Sequence, residues 1–226
     1  MKTKSYSIKE NFDKEIVEIW EEIKNIDHLK KYYERGYCLP EEILENSTLI
    51  LGINPSYNEN HFIENQLTHY YQNNHNIQVE KSIPFFERMK TLMGENRNWQ
   101  HLDLLFLRET SQNSINEIIQ TKEGIDFVYK QLMISKKIIE TINPNCLIVA
   151  NSMCRYFLGF EKTTKNHIWM NFDFDFSKDF GTHYILNQNK IPVFFTSMLT
   201  GQRALDRGSY ERLMWHINFV LEKNFC

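Results

Sequence analysis

The stretch Thr48-Leu49-Ile50-Leu51-Gly52-Ile53-Asn54-Pro55-Ser56-Tyr57 decides the fold. Its first six residues form an apolar run bounded by turn formers, which reads as a strand buried on both faces in a parallel sheet covered by helices. Three more runs share this character: Leu102 to Leu107, Cys146 to Ala150, and Pro192 to Phe195. Helical patterns lie between them at Pro84 to Met93 and Ile115 to Ile142. A last helix is expected from about Ser209 to Leu221, with Leu213, Ile217, Val220 and Leu221 inward. Strands alternating with helices predict crossover connections and a three-layer α/β/α domain around a four-stranded, mostly parallel sheet.

Working outward from that core, Phe12, Ile16, Ile19, Trp20 and Ile23 recur at helical spacing. Asp27 is a candidate cap for a short helix through Tyr32 and Tyr33, ended by Gly36. Leu39-Pro40-Glu41-Glu42 has the composition of a helix start. The chain is read as one domain, 1–226, with a helical extension at 1–44 and the α/β core at 45–222. Ile168, Met170, Phe172, Phe174 and Phe176 alternate with polar or exposed-type residues, which predicts an antiparallel strand. Its expected partner is Tyr184-Ile185-Leu186 across Gly181, forming a small hairpin insertion. Asp173 and Asp175 read as solvating acids of an edge strand rather than catalytic groups.

With 226 residues the chain can bury a core without metal or disulfide staples. Apolar residues make up 42% and charged residues 24%, the balance of an ordinary globule. Mean hydropathy is -0.50 and no apolar run approaches the ~20 residues of a membrane span. The N-terminus has no apolar segment of a secretory signal. Cys38, Cys146, Cys154 and Cys226 form no C-x-x-C pair, which suits reduced thiols in the cytoplasm and gives no spacing for an iron–sulfur cluster; a monomer is expected. The eight histidines form no zinc pattern, so neither metal nor cofactor is expected. Phosphate-loop, dinucleotide and nucleophile-elbow motifs are absent. The net charge of -3 counts against a nucleic-acid partner, since such proteins usually carry a basic footprint.

Ligands of open α/β sheets bind beyond the carboxyl ends of the strands. Each expected strand here runs into a polar cluster: Gly52 to Tyr57, Arg108-Glu109-Thr110, Asn151 to Arg155, and Thr196 to Arg203. All four are expected on one rim. Gly52 permits close backbone approach, and Asn54 offers both an acceptor and a donor, enough to hold a water or read a base edge. Its structural alternative is an Asx-turn within the loop.

A strand ending in Gly52-Ile53-Asn54-Pro55-Ser56 resembles the first motif of the uracil-DNA glycosylase superfamily, especially the mismatch-specific uracil/thymine branch, which carries G-I-N-P-G. Leu107 to Thr110 is similar to the segment after that branch's second strand, Val149 to Ser152 to the turn after its third, and Thr196 to Arg203 to its second motif. The likeness spans about residues 45 to 222. It implies hydrolysis of an N-glycosidic bond in DNA, with Asn54 placing the water and Thr196 standing where many members have His. It further implies a base held near Gly52, Ile53, Ser56, Tyr57 and Asn151, with Phe85 or Phe86 stacking on it. Arg108 or Arg203 would supply positive charge. The loop with Ser197, Leu199, Thr200, Gln202 and Arg203 would meet the DNA, and Leu199 or Thr200 would be the wedge in the base stack. Two other readings stay open: a non-catalytic nucleic-acid or nucleotide binding protein, and an enzyme acting on a small nucleoside or sugar.

Overall fold

The computed structural model describes residues 4–57, 68–71, 84–94, 97–159, 169–172, 174–175, 182–186, 189–201 and 204–223. In chain order the elements are β1 (Ser5–Ser7), α1 (Ile8–Ile23), α2 (Lys30–Arg35), β2 (Tyr37–Pro40), β3 (Glu42–Leu44), β4 (Thr48–Gly52), β5 (Thr68–Tyr71), α3 (Pro84–Met93), β6 (Trp99–Asp103), α4 (Gln112–Ile118), α5 (Lys122–Ile142), β7 (Cys146–Val149), α6 (Ser152–Leu158), β8 (Phe174–Asp175), β9 (Thr182–Leu186), β10 (Asn189–Phe195) and α7 (Arg207–Lys223). The main sheet has the order β6-β4-β7-β10-β9-β8. Its first four strands are mutually parallel, and β9 and β8 add antiparallel.

The expected α/β/α layering is present because the buried strands present two apolar faces. Leu49, Leu51, Leu147, Val149 and Val193 join a core with α1 and α5, which contribute Phe12, Ile16, Trp20, Phe127, Leu132 and Ile138. Ile50, Trp99, Ile148 and Phe194 join a second core with Met89 and Leu92 of α3 and Ile217 and Val220 of α7. Among the described residues, no helix is long and apolar enough to cross a membrane.

The expected hairpin is present and extends the sheet: β8 pairs with β9 at Phe174 and Tyr184, and β9 pairs in turn with β10, giving six strands. Met170 and Phe172 are buried but belong to no strand, because their N–H groups donate to Phe157 and Leu158 at the end of α6. Ile168, Asp173, Phe176 and Gly181 lie outside the described residues.

The 1–44 extension is not wholly helical. Leu39-Pro40 ends strand β2, which pairs in parallel with β5, and β3 pairs antiparallel with β1. Proline at a strand end forfeits no ladder donor, so the helix-start composition yields to these pairings. The short helix is α2; its N-cap is Leu29, not Asp27, and Gly36 closes it at φ 65°.

The second parallel strand ends at Asp103, not Leu107. Beyond it the backbone turns to side chains of α5: Phe106 and Leu107 N–H groups donate to Gln131 Oε1 at 2.8 and 3.1 Å, and Ser135 Oγ donates to the Leu104 carbonyl at 2.8 Å. The single helix expected at 115–142 is two helices. Thr121 caps α5, and Gly124 lies so close to the end of α4 that a Cβ there would sit 1.9 Å from the Ile118 carbonyl oxygen.

Candidate functional site

The chain passes from β4 outward to β6 and then back across to β7, so the sheet reverses its winding between β4 and β7. A crevice beyond the carboxyl ends of the strands at such a reversal is where open α/β sheets take ligands. The loop after β4 carries Asn54 just beyond the carboxyl end of its strand. Its Nδ2 donates to the carbonyl oxygens of Pro55 at 3.0 Å and Glu109 at 2.5 Å. Two carbonyl neighbours settle which way the amide faces. The half-buried side chain keeps Oδ1 as an acceptor that is not engaged among the described residues. The Glu109 N–H returns a bond to the Pro55 carbonyl at 3.0 Å, so the loops after β4 and β6 brace one another.

Gly52, at the end of β4, faces His101, which the sequence reading did not single out, and Asp103, which it counted within an apolar run. A Cβ at Gly52 would lie 2.1 Å from Asp103 Oδ1 and 2.9 Å from His101 Nε2. Those two atoms are 3.5 Å apart, and the Asp103 side chain retains only 12% exposure. The Phe85 and Phe86 rings stand nearly perpendicular to His101, with centroids 5.4 and 5.8 Å from it, and the Tyr71 hydroxyl lies 3.3 Å from His101 Nδ1. Burial pushes the Tyr71 phenol well above its usual range, with Asp103 adding to the effect. Burial likewise pushes the Cys38 thiol up to about 12, with Asp103 reinforcing and Arg108 opposing. The signal that could have found this cluster is the spacing of His101 and Asp103, two residues apart on one strand face and in register with Ile50 and Gly52.

Arg108 and Tyr57 meet in a cationic cluster next to Asn54. The guanidinium carbons of Arg35 and Arg108 lie 4.3 and 5.5 Å from the Tyr57 ring centroid. Arg35 also holds Glu109 at 2.8 Å, and Glu109 Oε1 accepts the N–H groups of Thr110 at 2.8 Å and Ser111 at 3.1 Å. Burial opposes ionisation of Glu109, but these two N–H groups and Arg35 outweigh it and lower its pKa. Ile53 is buried in the first core, and Ser56 is exposed.

On the other side of the reversal is a cavity of about 590 Å³. Thr196 and Ser197 line it after β10, Asn151, Ser152 and Arg155 line it from α6, and Ser209, Arg212 and His216 line it from α7. Gln112 of α4 reaches it too. Arg155 and Arg212 set two cations among polar and apolar lining residues, including Phe195 and Leu213, which suits the cavity to an anionic group. Asn151 also has a structural task, since its Oδ1 caps α6 by accepting the Met153 N–H at 2.8 Å.

The rim therefore brings Asn151, Thr196 and Ser197 together in the cavity, and Gly52, Phe85 and Phe86 together around His101. Asn54, Tyr57 and Arg108 form a third group, and Asn54 is not among the residues lining the cavity. Leu199, expected as a wedge, is 1% exposed and packs in the second core instead of projecting. Thr200 is half-buried in the loop after it. Gln202 and Arg203 lie outside the described residues. No protein-family model matches this chain, and no curated protein matches it.

Proposed function

We propose that this chain hydrolyses the N-glycosidic bond of uracil or a related damaged base in DNA, using a water held by Asn54. The observation that carries this reading is the Asn54 amide: its N–H groups are taken by the Pro55 and Glu109 carbonyls, which leaves Oδ1 oriented as an acceptor. An acceptor of that kind aligns a water without needing to be a strong base. The water oxygen attacks the sugar's anomeric carbon as the bond to the base breaks; the electron pair leaves with the base, and the proton lost by the water neutralises the departing base anion. Donors around the base stabilise the charge that grows on it. The rings of Phe85 and Phe86, grouped beside the Gly52 strand end, support the holding of a planar heterocycle. The Arg155–Arg212 cavity supports binding of the phosphates despite the acidic whole. Cytoplasmic residence is part of the same reading, supported by free thiols at Cys38, Cys146 and Cys154.

The test is release of free uracil from single-stranded and U:G oligonucleotides. Release by the wild type and its loss in Asn54→Ala supports the reading; no release by folded protein at micromolar concentration defeats it. A second reading, a binding protein without chemistry, is favoured by the neutral hydroxyl of Thr196 in the anion-suited cavity. DNA binding that falls with salt, without release of a base, selects it.

A further inference from the structure

The α7 face beside the cavity carries a feature that base hydrolysis does not use. Ser209, Arg212, Leu213 and His216 recur at helical spacing and turn toward the cavity. Next to them, Trp215 is 54% exposed, whereas Trp20, Trp99 and Trp169 are buried. The Trp215 ring is stacked on Phe219, with centroids 5.2 Å apart and planes at 18°, and it touches the His216 ring at 5.1 Å. One indole face is thus backed by a second ring while the residue as a whole stays open to solvent. The acids of this turn are already engaged: Glu211 pairs with Arg207 at 2.8 Å, and Asp206 accepts from the Ser209 N–H and hydroxyl at 3.0 and 2.6 Å. Arg212 and Arg155 are exposed cations lining the cavity, the Arg155 guanidinium carbon lying 5.9 Å from the Phe195 ring centroid.

We propose that the cavity between α6 and α7, together with Trp215 beside it, is a docking track for single-stranded nucleic acid. A backbone phosphate enters the cavity against Arg155 and Arg212, and a neighbouring base stacks on the open face of Trp215. A rigid aromatic platform beside a cationic groove is the general solution for binding single strands without reading their sequence, because every base has a π-face. A duplex keeps its bases stacked on one another and has none to offer the indole. The track rests on reading the rim as a nucleic-acid site, but not on catalysis there.

The experiment titrates the full chain with oligothymidylate of about ten nucleotides, a length within the range of known single-strand sites. Trp215 is the one exposed tryptophan, so stacking is expected to quench the intrinsic fluorescence. With a labelled oligonucleotide, Trp215→Ala is expected to weaken binding roughly tenfold and Trp215→Phe to restore most of it. Arg212→Gln is expected to reduce the slope of log affinity against log salt by about 0.7. Absence of binding, wild-type affinity in Trp215→Ala, or equal affinity for the matched duplex would each overturn the track. Uracil release with unaltered oligothymidylate affinity in Trp215→Ala removes the track and leaves the hydrolase reading intact. Quenching by oligothymidylate in a protein that releases no base does the reverse.

Discussion

Asp103 lies opposite Gly52 in the parallel ladder, and its Oδ1 stands 2.1 Å from the point that a Cβ at position 52 would occupy. The absent side chain of Gly52 is therefore the space in which the carboxylate sits. Gly52 is needed for that close approach, and its partner on the next strand is a largely buried acid beside a buried histidine.

The first expectation follows directly. Gly52→Ala must displace the Asp103 carboxylate against a packed environment, at a cost of about 1–3 kcal/mol. Scanning calorimetry should show a fall in Tm of several degrees for a chain this size. The double variant with Asp103→Ala should recover part of that loss, because the two residues share one space. Simple additivity would contradict the assignment.

Asn54 gives a second expectation. Asn54→Asp points carboxylate oxygens at the Pro55 and Glu109 carbonyls in place of donors. It should lower stability by about 1–3 kcal/mol and by more than Asn54→Ala, whose carbonyls can take water instead. Urea unfolding of both variants at neutral pH checks the order, and a less damaging Asp would show that the amide does not brace the loop.

The carboxylate of Glu109 couples the same loop to pH. Its pKa is lowered in the folded chain, so its contribution is present above the usual carboxylate range and is lost as pH falls through the folded value. Glu109→Gln should cost about 1.5–3 kcal/mol at pH 7, the scale of hydrogen bonds to a charged group. The difference from wild type should shrink in urea titrations carried down through and below the usual carboxylate range. A gap that widens on acidification would refute the sign.

Leu199 discriminates between core and wedge. As a buried member of the second core, Leu199→Ala should lower stability by about 2–5 kcal/mol. A projecting wedge would instead lose DNA affinity with unchanged denaturation midpoints, so the two measurements decide.

The thiols supply a chemical check. Burial raises the pKa of Cys38, Cys146 and Cys154, so little thiolate forms near pH 8. Peptide mapping after alkylation should find these three unmodified in native protein and modified in urea. Rapid native labelling of any of them would be inconsistent with this packing.

Much of this protein was legible in the chain itself. Long apolar runs such as Thr48 to Gly52 and Cys146 to Val149 can only be satisfied by cover on both faces, and the helical periodicity of α1, α3 and α7 provides it, so layering follows from hydrophobic pattern alone. The place of Asn54 just after the first core strand was legible too, whereas the Glu109 carbonyl that takes its amide lies 55 residues away. What only the tertiary structure decided is whatever depends on partners distant in sequence. Beyond Asp103 the Leu104 and Leu105 N–H groups still donate to Gly52 and Ile53, but Phe106 and Leu107 turn to Gln131 of α5, which no local pattern announces. Leu39-Pro40 becomes a strand because β5 pairs with it. His101 meets Gly52 through strand register, and Arg155 of α6 meets Arg212 of α7 at one cavity through helix placement. Local pattern encodes which surfaces must be buried, whereas the groups that come to share a site are set by long-range pairing, which no short window of sequence contains.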